Sequence, residues 1–512
     1  MMDNVKIDRI NALAHKAKSV GLTEEEKKEQ GNKRFATILA VIYIIATAAL
    51  LVTTFMVGVV PMKYFAAIIA VLLVISFFIL RSLLRKPGKP GKGKKPARES
   101  KKRAASVFAI IMILISCTGT YYMANTLDFF GKISGTEQTH EYYVTVRSES
   151  EYDSLNDISG QTVGLMDLDD EVYTEAQDRL KAKAEVDFET IGAFDALASS
   201  LIEGQTDVIF LNSAYYDLAI EEVDGFTADT TRIIDTVDVT VDVQSNAKAV
   251  NVTKEPFNVY ISGLDTTGSI GNISRSDVNM VMTVNPQTKT ILLTSIPRDY
   301  YVDLATKGAK DKLTHSGLYG IDETTATVED LLGIDINYYV KVNFTTVVKL
   351  VDTLGGITVN SDYSFSAEGL DGQTYSFTAG ENYLSGEAAL AFSRERYSFA
   401  EGDNQRVKNQ QAVITGIINK CTSSSTVLTN YNGILNSLED NIQTNMTQSE
   451  ISSLVRMQLG DMTGWTIQRC SLTGSGMMTP VYSIPNYSVY VMVPDESSIS
   501  EAKTQINSVM GK

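Results

Sequence analysis

The sequence of 512 residues predicts an α/β fold: a central mixed sheet flanked by helices, preceded by a small α/β accessory domain and three transmembrane helices. Three observations carry this expectation. Apolar residues are an ordinary 44% of the chain, yet three uncharged runs gather many of them near the N-terminus. Charge divides at the same place: residues 1–130 hold 20 basic and 8 acidic residues, while 131–512 hold 25 and 53. Beyond residue 136, short strand-like stretches alternate with helix-periodic ones, the pattern of sheets with helices on their faces. A chain this long accommodates about three units.

Residues 1–34 read as a cytoplasmic tail and 35–130 as the membrane region. Its helices are expected at about 35–60, 64–82 and 107–124. The uncharged runs, FATILAVIYIIATAALLVTTFMVGVV, YFAAIIAVLLVISFFIL and VFAIIMILISCTGTYYM, reach the roughly 17–25 residues that cross a hydrocarbon core. Between the second and third lies the loop 81–103, with eleven Lys or Arg and one Glu. Short basic loops stay in the cytoplasm, so the N-terminus is inside and the chain after the third helix is outside, with Tyr121 and Tyr122 at the far interface. The first run starts too far into the chain, and is too long, for a cleaved signal peptide. The acidic remainder repels a phosphate backbone, so no specific nucleic acid is expected; the basic loop suits anionic lipid.

Residues 136–246 form the expected accessory domain. EYYVTV, GQTVGLM (160–166) and TDVIFL (206–211) read as strands, some of them parallel, around helical stretches at 171–185 and 194–204. The main domain is expected over 254–420. Its strands are PFNVYISGLD, a hairpin about Asn285–Pro286, and INYYVKVN; its helices end at Gly333 or cover 345–356, 387–396 and 405–420. Residues 421–512 read as a C-terminal extension that packs on or completes the outer region. Cys421 and Cys470 both lie there, with a disulfide neither required nor excluded. His15, His140 and His315 are too scattered for a His-rich zinc site.

Four fragments of the main domain put charge at strand ends. SGLDT carries Asp265, SRSD carries Arg275 and Asp277, and SIPRD carries Arg298 and Asp299. The fourth, FSRERYSFAEGDNQRVKNQQ, carries Arg394, Arg396, Asp403, Arg406 and Gln410, of which Arg406 and Gln410 share a helix face. Ligands of open α/β sheets gather at the carboxyl ends of strands. Several guanidinium forks suit phosphate oxygens, and carboxylates without imidazole or thiol suit a hard cation. A metal-bound diphosphate is the chemistry these residues point to. Singly, each has a plainer reading: Asp265 as a turn, Arg275 and Asp277 as a surface pair, Asp403 as an N-cap, Arg394 and Arg396 as a solvated helix end.

Together and in this order, GLDT, RSD, SIPRD and RER…DNQRVKNQQ closely resemble the catalytic domain of the LytR–CpsA–Psr family of cell-wall ligases, across residues 256–420. Three crossings and an accessory domain resemble the capsule-associated CpsA type. The resemblance implies an extracellular phosphotransferase on a multi-pass cell-membrane anchor. Its donor is a glycopolymer, capsular polysaccharide in the CpsA type, linked through diphosphate to a polyprenyl lipid; its acceptor is a peptidoglycan hydroxyl. It implies Mg²⁺, with Mn²⁺ as an alternative, held by Asp265, Asp277 and Asp403. Arg275, Arg298, Arg394, Arg396, Arg406 and Gln410 would bind the diphosphate, with Asp265 or Asp277 as base beside a catalytic Arg298. A pyrophosphatase side activity and capsule-synthesis membrane proteins as partners are further expectations. The Val, Leu and Ile residues of 345–354 and 412–418 would line a lipid tunnel or serve as core. Two alternatives differ in class: a membrane-bound regulator of wall or capsule synthesis, and a polyprenyl-phosphate binder without turnover. The first lacks a cytoplasmic helix-turn-helix pattern.

Overall fold

The computed structural model describes residues 24–85, 97–134, 137–242, 246–264, 270–423, 431–438 and 441–512. Two compact units divide the chain, Met1–Leu127 and Asp128–Lys512. The first holds helices α1 (Glu24–Val57), α2 (Met62–Leu84) and most of α3 (Ala97–Ile133). Each begins before its expected span, where flanking residues continue the helical backbone; α2 and α3 also run past its end, while α1 stops at Val57, short of 60. Gln30–Val57, Met62–Leu84 and Lys102–Ile133 are long and apolar enough to cross a membrane. The Tyr43 hydroxyl meets Ser76 Oγ at 2.7 Å between α1 and α2, while Phe35, Ile45, Phe55, Leu73 and Phe78 point outward. An apolar exterior of that kind is the surface lipid covers. Residues 86–96 of the basic loop lie outside the described residues.

In the second unit the accessory domain is a five-stranded sheet in the order β3-β2-β4-β1-β5. Its elements are β1 (Glu137–Arg147), β2 (Thr162–Met166), α4 (Glu171–Lys183), β3 (Asp187–Gly192), α5 (Phe194–Ile202), β4 (Val208–Asn212), α6 (Ser213–Glu222) and β5 (Thr231–Asp242). β2 runs parallel to β3 and β4, whereas β1 is antiparallel to β4 and β5. The stacked rings of Tyr142 and Tyr173, 5.4 Å apart, join Phe210 at the core. Asn212 begins α6 by accepting the Ala214 N–H at 2.9 Å. β3, β5 and α6 escape the sequence pattern, since Asp and Thr dilute the alternation in the strands.

The main domain is a six-stranded sheet, β16-β11-β6-β7-β8-β17. β6 (Phe257–Leu264), β7 (Ser276–Asn285) and β8 (Thr290–Ile296) form an antiparallel meander with the expected hairpin after Asn285. The short pair β9 (Tyr301–Asp303) and β10 (Lys310–Lys312) follows, then a 3-10 turn at Leu313–Tyr319 and α7 (Ile321–Leu332), closed by Gly333 in the left-handed region at φ 59°. β11 (Tyr338–Asn343) pairs parallel to β6, and α8 (Phe344–Thr353) opens with a capping box at Asn343. A small subdomain of β12 (Ile357–Ser361), β13 (Phe365–Glu368), β14 (Thr374–Phe377) and β15 (Gly380–Leu384) leads to α9 (Gly386–Arg394) and α10 (Asp403–Ser423).

Residues past 420 complete this sheet. After α11 (Tyr431–Leu438), β16 (Ile442–Thr444) adds to β11. α12 (Gln448–Asp461) then precedes β17 (Thr466–Ser471), which adds to β8. The hairpin β18 (Gly474–Thr479) and β19 (Val489–Pro494) and helix α13 (Glu496–Met510) finish the chain, with Asn285 Nδ2 donating to Val509 O at 2.8 Å. Helices cover both faces. Tyr260, Val281, Leu292 and Val328 pack with Ile499 and Ile506 on one side, and Phe257, Met280, Leu293 and Tyr338 with Ile414 and Ile418 on the other. Each such side chain contributes about 1.5–3 kcal/mol on burial. Ala412 and Val413 turn instead toward α8 and α9, so 412–418 serves as core in two directions. Cys117, Cys421 and Cys470 are free thiols.

Candidate functional site

Register brings the first pair together. Asn279 of β7 lies opposite Ile296 of β8, so the start of β7 and the end of β8 share one end of the sheet. Two residues beyond each, Arg298 Nη1 donates to both oxygens of Asp277, at 3.2 and 3.1 Å. Pro297, which has no N–H to give the ladder, releases the chain there. The Thr314 hydroxyl donates to Asp277 Oδ1 at 3.2 Å. Its 3-10 turn passes so close to 274–276 that a Cβ on Gly317 would lie 2.5 Å from Ser274 O. Asp265, the residue after Leu264 in the sequence, lies outside the described residues.

A second pair comes from α10. Asp403 is its first residue rather than a cap, and its carboxylate lies 2.5 Å from Arg406 Nη2. Both pairs belong to one cluster: the Asp403 charge raises Arg298, and the charges of Arg298 and Asp277 act on Arg406. Burial pulls Arg406 down from its usual value, and Asp403 opposes the shift. Asp299 is pushed up by burial against the pull of Arg298 and Lys312. Lys312 lies 3.9 Å from Asp299 and 3.5 Å from Glu222. Two donors stand out. Arg298 Nε and Arg406 Nε are both buried without a hydrogen-bond partner, although buried N–H groups are nearly always paired.

The remaining predicted residues are distributed around this cluster. Arg275 forms an ion pair with Glu221, whose carboxyl is pushed up by burial but more strongly held down by Arg275. Arg394 lies over the Phe344 ring at 4.5 Å and Arg396 over Tyr397 at 4.8 Å. Neither guanidinium has an ion-pair partner among the described residues. Gln410 is half-buried, one turn beyond Arg406.

Sequence reasoning missed Glu221, Glu222, Lys312 and Thr314. A signal existed for the glutamates. They are the last two residues of α6, where the helix dipole disfavours anions, and an acidic pair there calls for a cation. No group of three His, Cys, Asp or Glu side chains suited to a metal occurs among the described residues. Asp277 and Asp403 offer the one or two carboxylates that Mg²⁺ takes when phosphates supply its other oxygens.

Buried guanidinium donors without hydrogen-bond partners at the end of a mixed sheet suit an oxyanion, in a chain with three helices long and apolar enough to cross a membrane. The chain belongs to the LytR_cpsA_psr family, whose model matches residues 227–508. It is 37% identical over 259 residues to the polyisoprenyl-teichoic acid–peptidoglycan teichoic acid transferase TagU of Bacillus licheniformis, covering 50% of this chain and 79% of that one. For TagU of Enterococcus faecalis the identity is 38% over 242 residues, covering 46% and 76%. Among solved structures, Bacillus subtilis TagV matches at 31% identity with a TM-score of 0.43, covering 50% of this chain and 98% of that one. TagT bound to LI-WTA matches at 26% identity with a TM-score of 0.41, covering 52% and 96%. A model described as a bacterial protein of unknown function matches residues 5–36.

Proposed function

We propose that the chain transfers a glycopolymer, together with its phosphate, from a polyprenyl-diphosphate carrier to a peptidoglycan hydroxyl. The observation that carries this reading is the pair of buried donors, Arg298 Nε and Arg406 Nε, which diphosphate oxygens would satisfy. Family membership and the likeness to TagU support transfer of a polyprenyl-linked polymer to the wall. The finer choice of capsular polysaccharide rests on the accessory domain and the three membrane-length helices.

Arg298 and Arg406 grip the diphosphate, with Arg275, Arg394, Arg396 and Gln410 around it. Asp277, Asp403 and Asp265 would hold Mg²⁺ or Mn²⁺, which supplies further neutralisation of phosphate charge. Phosphoryl transfer needs positioning and charge neutralisation more than covalent help. The acceptor oxygen bonds to the phosphorus that carries the polymer. The bond from that phosphorus to the bridging oxygen breaks, and polyprenyl phosphate leaves. While Arg298 Nη1 stays on Asp277 and Nε meets the diphosphate, Asp265 or Asp277, whichever does not hold the metal, accepts the hydroxyl proton. With water as acceptor, the same site cleaves polyprenyl diphosphate. The charge of the basic loop supports an N-terminus inside and residues 128–512 outside, on the side of the acceptor. The test is full chain in detergent with a radiolabelled polyprenyl-diphosphate oligosaccharide, Mg²⁺ and peptidoglycan. Label should move to the wall polymer; tight lipid binding without movement would make this a carrier-binding protein.

A further inference from the structure

A second concave site lies where the accessory domain meets the main domain, and it is distinct from the arginine cluster. The chain leaves β2 through α4 to β3 on one side, then crosses back through α5 to β4 on the other. The carboxyl ends of β2 and β4 therefore flank a switch point, where open α/β sheets place their ligands. A cavity of about 110 Å³ opens there. One water needs roughly 10–15 Å³ by such a measure, so the space suits a single ring rather than an ion or a chain.

Its lining selects the ligand. Met166 and Leu168 on the accessory side, with Ile273 and Leu318 of the main domain, supply apolar walls. Asp169, Asp170 and Asn212 offer a carboxylate pair and an amide at the starts of α4 and α6. Tyr142, Tyr215 and Tyr319 bring hydroxyls that burial keeps protonated, and His140, pulled down by burial, adds a neutral imidazole. Among the described residues the lining contains no arginine and one ammonium, Lys307, which lies 4.7 Å from the Tyr319 ring centre. A phosphate or carboxylate would face Asp169 and Asp170 without a bidentate partner, and a hydrocarbon would strand the polar groups. Hydroxyls around an apolar-faced ring satisfy both walls.

We propose that this cavity binds one sugar residue, neutral or amino-bearing, as a saccharide subsite separate from the diphosphate site. The two are close. Tyr215 and Glu221 lie on the same helix, six residues or about 9 Å apart, and Glu221 holds Arg275. Ile273 precedes Arg275 by two residues. That the sugar belongs to the donor or the acceptor rests on the function proposed above; that a sugar binds does not.

The test is saturation-transfer NMR on the full chain in detergent, with N-acetylglucosamine and the N-acetylglucosamine–N-acetylmuramic acid disaccharide as probes. Transfer to the ring protons should occur with the wild type. It should weaken at least tenfold in Leu318→Trp, which fills the cavity, and about threefold or more in the exposed-loop variant Asp169→Ala. Arg298→Ala should bind the sugars unchanged. Retained cleavage of polyprenyl diphosphate by the cavity variants shows that they are folded. No transfer with the wild type, or loss in Arg298→Ala but not in Leu318→Trp, overturns the proposal. If wall transfer is active, a raised acceptor KM in Leu318→Trp assigns the sugar to the acceptor, and a raised donor KM assigns it to the transferred polymer. A change in neither, with sugar binding intact in that variant, overturns the subsite.

Discussion

Replacing Arg298 by lysine keeps a positive charge beside Asp277 but removes the planar fork. In the structure Nη1 serves both Asp277 oxygens, while Nε is buried without a hydrogen bond, 3.7 Å from Asp299 Oδ2. A lysine ammonium can stand near Asp277, so the pair, with side chains 14% and 11% exposed, keeps its charge balance. It cannot at the same time supply the donor that Nε presents. One charge-assisted hydrogen bond to the diphosphate is worth about 1.5–3 kcal/mol, a factor of roughly 10–150. Arg298→Lys should therefore lower kcat/KM for the lipid-linked donor by that factor while shifting stability by less than about 1 kcal/mol. Arg298→Ala takes the guanidinium from buried Asp277 and should also cost about 3–5 kcal/mol of folding stability. The assay is steady-state cleavage of polyprenyl diphosphate beside thermal unfolding of the same samples. Full activity in Arg298→Lys, or equal destabilisation by Lys and Ala, would refute the division of labour between the two nitrogens.

Three further outcomes follow from the same geometry. Glu221→Gln removes one negative charge from Arg275 and should tighten inorganic pyrophosphate binding roughly three- to twentyfold, read by calorimetry; weaker binding would mean that Glu221 orients Arg275. Lys341, buried in β11, is pulled by burial to about 8. Below that pH the ammonium is charged in both states and its penalty is constant. Between about 8 and the unfolded value of 10.5 the unfolded chain holds the extra proton, so stability should rise with pH. Lys341→Met should relieve up to about 3 kcal/mol at pH 7 and remove that rise, as measured by denaturant midpoints. Arg406→Ala should depress turnover at least tenfold, whereas Lys408→Ala, on the same helix but paired at the surface with Glu401, should leave it within about twofold.

Much of this was legible in the sequence, for reasons particular residues make plain. The three apolar helices were readable because lipid demands an uninterrupted run, while their polar extensions carry no such constraint. The hairpin after Asn285 and the Gly333 stop follow from local turn chemistry. Asp277 and Arg298 looked separable in sequence, and only β7–β8 register joins them. Which cations Glu221 and Glu222 meet was not readable, since Arg275 and Lys312 reach them only through the packing of the accessory domain against the main one. Residues 421–512 were expected to pack on or complete the outer region, but the partner of β17 was not readable, since it pairs with β8, 176 residues earlier. Parallel edge pairing leaves no local mark.

The account stands most directly on transfer itself. Full-length chain with Mg²⁺, a labelled polyprenyl-diphosphate oligosaccharide and peptidoglycan should yield wall-linked label and an equal amount of polyprenyl phosphate, both lost in Arg298→Ala and in Arg406→Ala. Transfer that persists undiminished in both variants would contradict the assignment of these two arginines to the diphosphate.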